Sequence, residues 1–493
     1  MSRLTTHREA WLIALLCLIM LVKGVLWSLA FPLWQGPDED DHYAVIQFIA
    51  ETGRLPDEGD EWLPDEVTLS RELADVGRLP YAPEQRQAFS RTPVGPGEPA
   101  FGELPPETRY TTELQGVGKL MHATPLYYVV AAGVYRLFDG GDLLYRAQVQ
   151  RLLAVLIGTP VVIVAYLIAG QLFPQNGAMR LTIPTLVAFH PQMSEIIAVV
   201  SVDGLLILCY SLLIYLCLLI FRQGFNWRYG VATGVVFAVG MLTKPTLSGI
   251  APLIAALVAY DWWRSRGRRW PIFWSAALMG GIILLPLGWW MLRSRRLNDD
   301  WLYFNPVLKG HRIIQNPFYD YGVGQHFLDY YQSVWGGIFT TWWAHFGWLD
   351  TALPAWVYTL LRLLTVLAMA GLVLLAVRHW RQMRGPAAWE AWRTGRGVPP
   401  LLVWLFLAAV VLLPVVLLQF YDLTFWWEYG NGRGLQGRYW LGTVVPMLAF
   451  FAAGLLAWLP PRWHPAGHTL LRLGIILLNI VSLLGYIMPR YYL

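Results

Sequence analysis

The sequence predicts an all-α integral membrane protein, a bundle of about 11–13 spanning helices with a large acidic first outer loop that carries short interfacial helices. Three observations predict it. Of 493 residues, 56% are apolar and 14% charged, with a mean hydropathy of +0.44, outside the range of soluble domains. Stretches of about 20 apolar residues recur along the chain, separated by short polar or basic links. Charge is also divided unevenly. Residues 36–123 hold 18 Asp and Glu against 7 Lys and Arg, a net of −11, so the overall +5 leaves +16 for the remainder. Lys and Arg concentrate in cytoplasmic loops whereas acidic loops translocate freely, so this asymmetry reads as topology and argues against nucleic-acid binding.

The first span, 10–31, contains Lys23 and follows Arg3 and Arg8, which place the N-terminus in the cytoplasm. Ser28-Leu29-Ala30 resembles a signal-peptide cleavage site, but the many later spans favour an uncleaved helix. The acidic loop 32–123 is then outside, and its Pro- and Gly-rich stretch 55–107 predicts short helices and irregular segments rather than an independent domain. Further spans fall near 125–138, 152–173, 205–221, 229–242, 247–262, 273–292, 354–377, 401–420, 440–459 and 473–487. Basic links at 262–269, 378–396 and 462–472 orient this set with those links in the cytoplasm. Loops 293–353 and 421–439, and Asp203, then lie outside.

Both ends of 123–203 are outside, yet the interval holds three apolar stretches, so one must be broken or re-entrant. The stretch 181–200, interrupted by His190-Pro191, is the best candidate, because irregular backbone at membrane depth is tolerated where protein buries it. The chain divides into the first helix 1–31, the acidic loop 32–123, a first bundle part 124–292, a second outer loop 293–353 and a C-terminal bundle part 354–493. Cys17, Cys209 and Cys217 lie in apolar runs and read as small hydrophobes. No internal repeat stands out, which weighs against transporters built from duplicated halves.

Pro37-Asp38-Glu39-Asp40-Asp41-His42-Tyr43 begins where the first span leaves the membrane. Two readings are open. Proline at the first helical position and carboxylates in the first turn complement a helix macrodipole by about 0.3–1 kcal/mol per exposed charge. Alternatively, one carboxylate is a general base at the membrane surface. Adjacent helical residues point different ways, so Asp38 and Glu39 should not share one role, whereas Asp38 and His42, four apart, can face the same side. Two such residues alone are a weak metal motif.

Gly432-Arg433-Gly434-Leu435-Gln436-Gly437-Arg438-Tyr439 enters a span from outside, and arginines among glycines suit a phosphate held bidentately. The plain alternative is that Arg438 snorkels to lipid headgroups. Lys244 ends another span on the same side, where it alone would read as an anchor. Asp203 either caps the helix that begins there or meets substrate. His190 reads as a structural histidine, and the aromatics of Phe346-Gly347-Trp348-Leu349-Asp350 as an interfacial belt or a sugar platform.

In their order, Pro37-Asp38-Glu39 with His42, Thr243-Lys244-Pro245, Phe346-Gly347-Trp348-Leu349-Asp350 and Gln436-Gly437-Arg438-Tyr439 resemble a family of bacterial multi-pass membrane proteins grouped with the GT-C glycosyltransferases. That group includes protein O-mannosyltransferases, the aminoarabinose transferase of lipid A and the catalytic subunit of oligosaccharyltransferase. The resemblance implies a GT-C-like multi-helix bundle and a sugar donor carried on a polyprenyl phosphate. It also implies that Asp38 matches the first acid of the loop motif, taken as catalytic base, and Glu39 the second. Asp40-Asp41 stand where a proline and a small residue are common in that family, which leaves open which carboxylate is the base.

On this reading an inverting glycosyltransferase at the outer face of a bacterial inner membrane moves a sugar to a hydroxyl of a glycan, lipid or protein. Asp38 or Glu39 takes the proton, and Lys244, Arg433 and Arg438 neutralise the phosphate. His42, Tyr43, Asp203, Gln436 and Tyr439 complete the candidate substrate contacts. A divalent metal is compatible with the carboxylates but not required. The rivals are a flippase or secondary transporter for a lipid-linked glycan, whose site should sit near the midplane, and a scaffolding protein. Reporter fusions at Asn226 and Gly385 are expected to read cytoplasmic, and an outside reading at either overturns this topology.

Overall fold

The fold is described from a computed structural model covering residues 2–57, 60, 63–73, 102–111, 120, 123–298, 301, 327–429 and 435–492. Helix α1 (Ser2–Ala30) leads into the acidic loop, which holds α2 (Glu39–Thr52) and α3 (Asp65–Leu73). Then follow α4 (Leu126–Leu137), α5 (Leu143–Gly158), α6 (Val161–Leu172), α7 (Gly177–Ala188), the short α8 (Pro191–Ile196), α9 (Asp203–Gln223) and α10 (Trp227–Met241). The second half comprises α11 (Ala251–Arg264), α12 (Arg269–Asn298), α13 (Phe327–Trp343), α14 (Ala355–His379), α15 (Gly385–Arg393), α16 (Leu401–Tyr429), α17 (Val444–Leu456), α18 (His464–Val481) and α19 (Met488–Tyr492). The one extended pairing among the described residues joins His345 to Ala352 and Phe346 to Thr351, antiparallel.

Nine stretches among the described residues are each long and apolar enough to cross a membrane. Helices α4, α7 and α10, of 12, 12 and 15 residues, fall below that length, but α7 with α8, and α10, still join the two faces of the bundle, in keeping with the 11–13 crossings expected. One face of α1, with Trp11, Leu15, Leu18 and Val22, is exposed as a lipid-facing side must be, whereas Met20 and Trp27 are fully buried. Helices α14 and α17 cross so closely that a Cβ on Gly371 would stand 1.9 Å from the Gly454 carbonyl oxygen. Small residues at a crossing let helices approach where lipid supplies no hydrophobic drive.

The expected interruption at His190-Pro191 is present between α7 and α8, and side chains satisfy it. His190 Nδ1 accepts from the Met193 amide at 3.4 Å, and Asn479 Nδ2 donates to the Phe189 carbonyl at 3.1 Å and to Ser194 Oγ at 2.8 Å. Lys23, buried within α1, donates to Ser194 Oγ and lies 5.7 Å from the Phe189 ring. A cation there suits the carbonyl end of α7.

The stretch is nevertheless not re-entrant. Arg180, in α7, pairs with Glu9 near the start of α1 at 2.6 Å, and the Val200 amide donates to Glu39, just beyond the end of α1, at 3.0 Å. It therefore runs the whole length of α1. The apolar stretch that stays at one face is α4. Its first turns meet the acidic loop and the end of α10, with Tyr128 on His42 at 2.8 Å and the Leu126 amide on the Leu242 carbonyl at 3.0 Å. Its last turn meets α2, with Tyr135 on Glu51 at 2.9 Å and Arg136 on the Ala50 carbonyl at 2.6 Å. At about 1.5 Å per residue, α4 is too short to span, and hydrogen bonds hold it along α2.

The acidic loop is tied into the bundle by a buried charge network. Arg146 in α5 pairs with Glu66 in α3 at 2.5 Å, Gln47 in α2 donates to the other Glu66 oxygen, and Arg146 reaches the Tyr135 hydroxyl. Losing one partner of such a pair strands the other charge. Arg146→Met is expected to cost about 3–5 kcal/mol in detergent unfolding, whereas removing the exposed Arg54–Asp60 pair should cost no more than about 1 kcal/mol. Equal losses would count against the network.

Candidate active site

The turn between α1 and α2 carries the first candidate residues in a conformation that side chains resist. Trp34 and Asp38 both have positive φ, 61° and 57°, the left-handed region that costs a non-glycine residue about 1–3 kcal/mol. Surrounding contacts impose it. The Trp34 indole donates to Ser70 Oγ and the Trp348 indole to the Trp34 carbonyl, both at 2.9 Å. Gly36 is pressed against Val199, whose side chain a Cβ would approach to 2.7 Å.

Asp38 occupies the N-cap position of α2 but makes no capping hydrogen bond. Helix capping therefore does not account for its side chain, and Pro37 precedes the helix rather than opening it. The first turn of α2 still bears Glu39, Asp40 and Asp41. Asp38 instead accepts from Arg438 Nη2 at 2.8 Å, its side chain 24% exposed.

Glu39 is in a different situation. Its side chain is fully buried, and Arg151 grips it bidentately at 2.7 and 2.6 Å while the Val200 amide adds a third bond. Arg151 also donates to the carbonyls of Ser28, Phe31 and Pro32. Every carboxylate oxygen is thus engaged in holding the turn. The two adjacent acids have separate surroundings, as their helical directions imply.

Lys244 arrives from the end of α10. Helix α9 leaves this face and α10 returns to it, so Asp203, the first residue of α9, meets Lys244 Nζ at 2.6 Å. Asp203 lies within the helix and is not its cap; Val202 is. The Tyr439 ring lies 5.5 Å from Lys244 Nζ and 5.3 Å from Arg438 Cζ, which joins the two ion pairs. Asp38, Arg438, Asp203, Lys244 and Tyr439, drawn from four parts of the chain, form one cluster at the acidic-loop face.

His42 borders it. Its Nδ1 bonds the Tyr128 hydroxyl rather than Asp38, and burial pushes its pKa from 6.5 down to about 4, with Asp38 and Asp203 opposing and Lys244 and Arg438 reinforcing. Tyr43 points the other way, buried with its ring 5.2 Å from Trp34 and 6.1 Å from Tyr135 in the loop's own core. Gln436 stands at the start of the Gly437–Thr443 turn and contributes its carbonyl to the Tyr439 amide. Arg433 lies outside the described residues. Gly437 serves packing, since a Cβ would fall 2.2 Å from the Trp342 amide of α13. No group of three or more His, Cys, Asp or Glu among the described residues could hold a metal ion.

The Phe346–Asp350 stretch packs against the end of α1 and the turn that follows it. Phe346 is buried 5.6 Å from Trp27, and Trp348 anchors the Trp34 turn. The Gly347 amide donates to the buried Glu195 of α8 at 2.6 Å, and Asp350 meets Arg490 at 3.4 Å. Arg151, Tyr128 and Glu195 escaped the sequence reading. An arginine at the acidic face of an apolar stretch, against the positive-inside bias, was the available clue to Arg151.

A family model described as predicted membrane protein (DUF2142) matches residues 21–448. No protein of curated function matches the sequence. Among solved structures, ArnT from Cupriavidus metallidurans bound to undecaprenyl phosphate aligns over 98% of this chain and 74% of its own, at 15% identity and a TM-score of 0.45. The Archaeoglobus fulgidus oligosaccharyltransferase in the apo form aligns over 100% of this chain and 56% of its own, at 12% identity and 0.47. AglB from Archaeoglobus fulgidus, in complex with an inhibitory peptide and a dolichol-phosphate, aligns over 96% and 55%, at 12% and 0.44. This chain thus spans little more than half of either oligosaccharyltransferase chain.

Unfolded His42 takes its proton near pH 6.5 and folded His42 only near 4, so the unfolded chain binds more protons between those values. The contribution of His42 to stability is complete above the upper value and is lost as pH falls toward the lower one, on the order of 3 kcal/mol. Unfolding measured across that window should show a steeper acid loss in the wild type than in His42→Gln.

Proposed function

This chain belongs to a family of predicted membrane proteins (DUF2142), and we propose that it is a membrane glycosyltransferase moving a sugar from a polyprenyl-phosphate donor to an acceptor hydroxyl at the acidic-loop face. The observation that carries the proposal is the cluster itself. A partly exposed carboxylate, Asp38, sits on a strained, over-determined turn within hydrogen-bond reach of the buried Arg438, beside the Lys244–Asp203 pair.

In this reading the acceptor oxygen attacks the anomeric carbon from the face opposite the phosphate, which inverts that centre. The acceptor O–H proton passes to Asp38. The anomeric C–O bond breaks, and its electron pair departs on the phosphate oxygen, so the leaving group is a stable anion that needs no general acid. Arg438 and Lys244 neutralise the charge, Arg438 through a planar fork and Lys244 as a point charge. Glu39 acts as a positioning residue through Arg151. His42 is neutral at physiological pH, and its bond to Tyr128 fixes the ring beside the acceptor's approach. ArnT and AglB have been seen with undecaprenyl phosphate and a dolichol-phosphate. The same class of lipid is proposed here on the strength of this chain's own cations. We place the site on the outer side of the bacterial inner membrane with the N-terminus in the cytoplasm, following the charge bias of the loops.

Clustering of the candidate groups at one end of the bundle suits transfer better than transport, for which a midplane site is expected. Purified protein incubated with labelled polyprenyl-phosphate sugars should form product, and Asp38→Asn should lower turnover about 10²–10⁴-fold. Glu39→Gln should lower thermal stability while leaving far more turnover than Asp38→Asn. Undiminished product from Asp38→Asn would remove it as the base.

A further inference from the structure

Both described cations assigned to the donor phosphate are already matched with carboxylates. Arg438 Nη2 holds Asp38 at 2.8 Å and Lys244 Nζ holds Asp203 at 2.6 Å, so these four groups together carry no net charge. A carboxylate held by a guanidinium favours its ionised form and is correspondingly poor at taking a proton. The contact that stabilises the resting site thus withholds its base.

Arg438 is not fully spent. Its side chain is 8% exposed, and its Nε is buried without a hydrogen-bond partner. Nε and Nη2 form one edge of the guanidinium fork, and Asp38 occupies only the Nη2 half. A phosphate with two free oxygens can take both donors of that edge, making two parallel bonds where Asp38 makes one.

We propose that the donor phosphate displaces Asp38 from Arg438, so that the base is released for the acceptor proton only when donor is bound. This rests on the donor reading above and adds an order of events, with donor before acceptor activation. It also gives the apo protein a reason not to activate water, since Asp38 is then held by Arg438. The strained turn suits the exchange. Trp348 and Arg151 hold the Trp34 and Phe31 carbonyls before Asp38, and Arg151 and the Val200 amide hold the Glu39 side chain after it, so the carboxylate can change partner without the turn moving.

The test uses the full-length protein in detergent and a fluorescent polyprenyl monophosphate, with the matching polyprenyl alcohol as control for lipid-chain binding. Asp38→Asn removes the competing charge in a residue type that tolerates left-handed backbone, and Asp38→Gly relieves that backbone altogether. Both should bind the phosphate probe about tenfold more tightly than wild type while binding the alcohol equally. In an Arg438→Ala background, Asp38→Asn should bring no tightening, because the competition is for that guanidinium. Unchanged affinity in both Asp38 variants overturns the exchange, as does equal tightening with and without Arg438, which would mark a general field effect. Binding of the phosphate probe no better than the alcohol, in wild type and variants alike, overturns the donor reading itself.

Discussion

The site depends on one buried ion pair. Arg151 meets Glu39 through two hydrogen bonds and spends its remaining donors on three carbonyls at the end of α1. Glu39 spends its remaining capacity on the Val200 amide. Four chain segments converge there: the end of α1, the start of α2, the middle of α5 and the passage from α8 to α9. A charge pair withdrawn from water costs several kcal/mol per ion unless its hydrogen bonds are complete, and here they are. That completeness lets a left-handed, non-glycine residue persist next door, with Asp38 presented outward.

The same division of labour recurs at the second acid pair of the loop. Glu66 and Arg146 fasten the loop to α5, and Tyr43, Tyr135 and Gln47 pack around them. The loop is acidic in composition, yet the described carboxylates with the deepest burial are structural, each with its own arginine. Asp38, left partly open at the cluster, takes its arginine from a segment 400 residues away. Glu39 and Glu66 are sealed by arginines inside the scaffold, whereas the arginine that holds Asp38 keeps one guanidinium donor without a partner. This contrast separates the two neighbours that composition alone leaves equivalent.

Much of the architecture was legible because it follows from local quantities. Span positions come from runs of apolar residues, and most of the later ones lie close to α9 through α18. The His190-Pro191 interruption follows from a proline's missing N–H. Where the reading departed from the structure, partners were remote. The α4 stretch looks like a span by hydropathy, but its Tyr135 and Arg136 meet α2 more than 80 residues back. Phe346 and Trp348 look like interfacial aromatics, but Phe346 is buried beside Trp27 and the Trp348 indole donates to the Trp34 carbonyl.

By itself the sequence determined a membrane-embedded helical bundle, an acidic loop between the first two parts of that bundle, and a short set of polar candidates on its face. These follow from hydrophobic length and charge bias, which any window of about 20 residues contains. Only the tertiary structure decided that Glu39 is sealed by Arg151 while Asp38 faces Arg438, and that Tyr43 belongs to the core. The physical reason is that a carboxylate's chemistry is set by the cation beside it and the water left to it. Those neighbours lie 112 and 400 residues away along the chain.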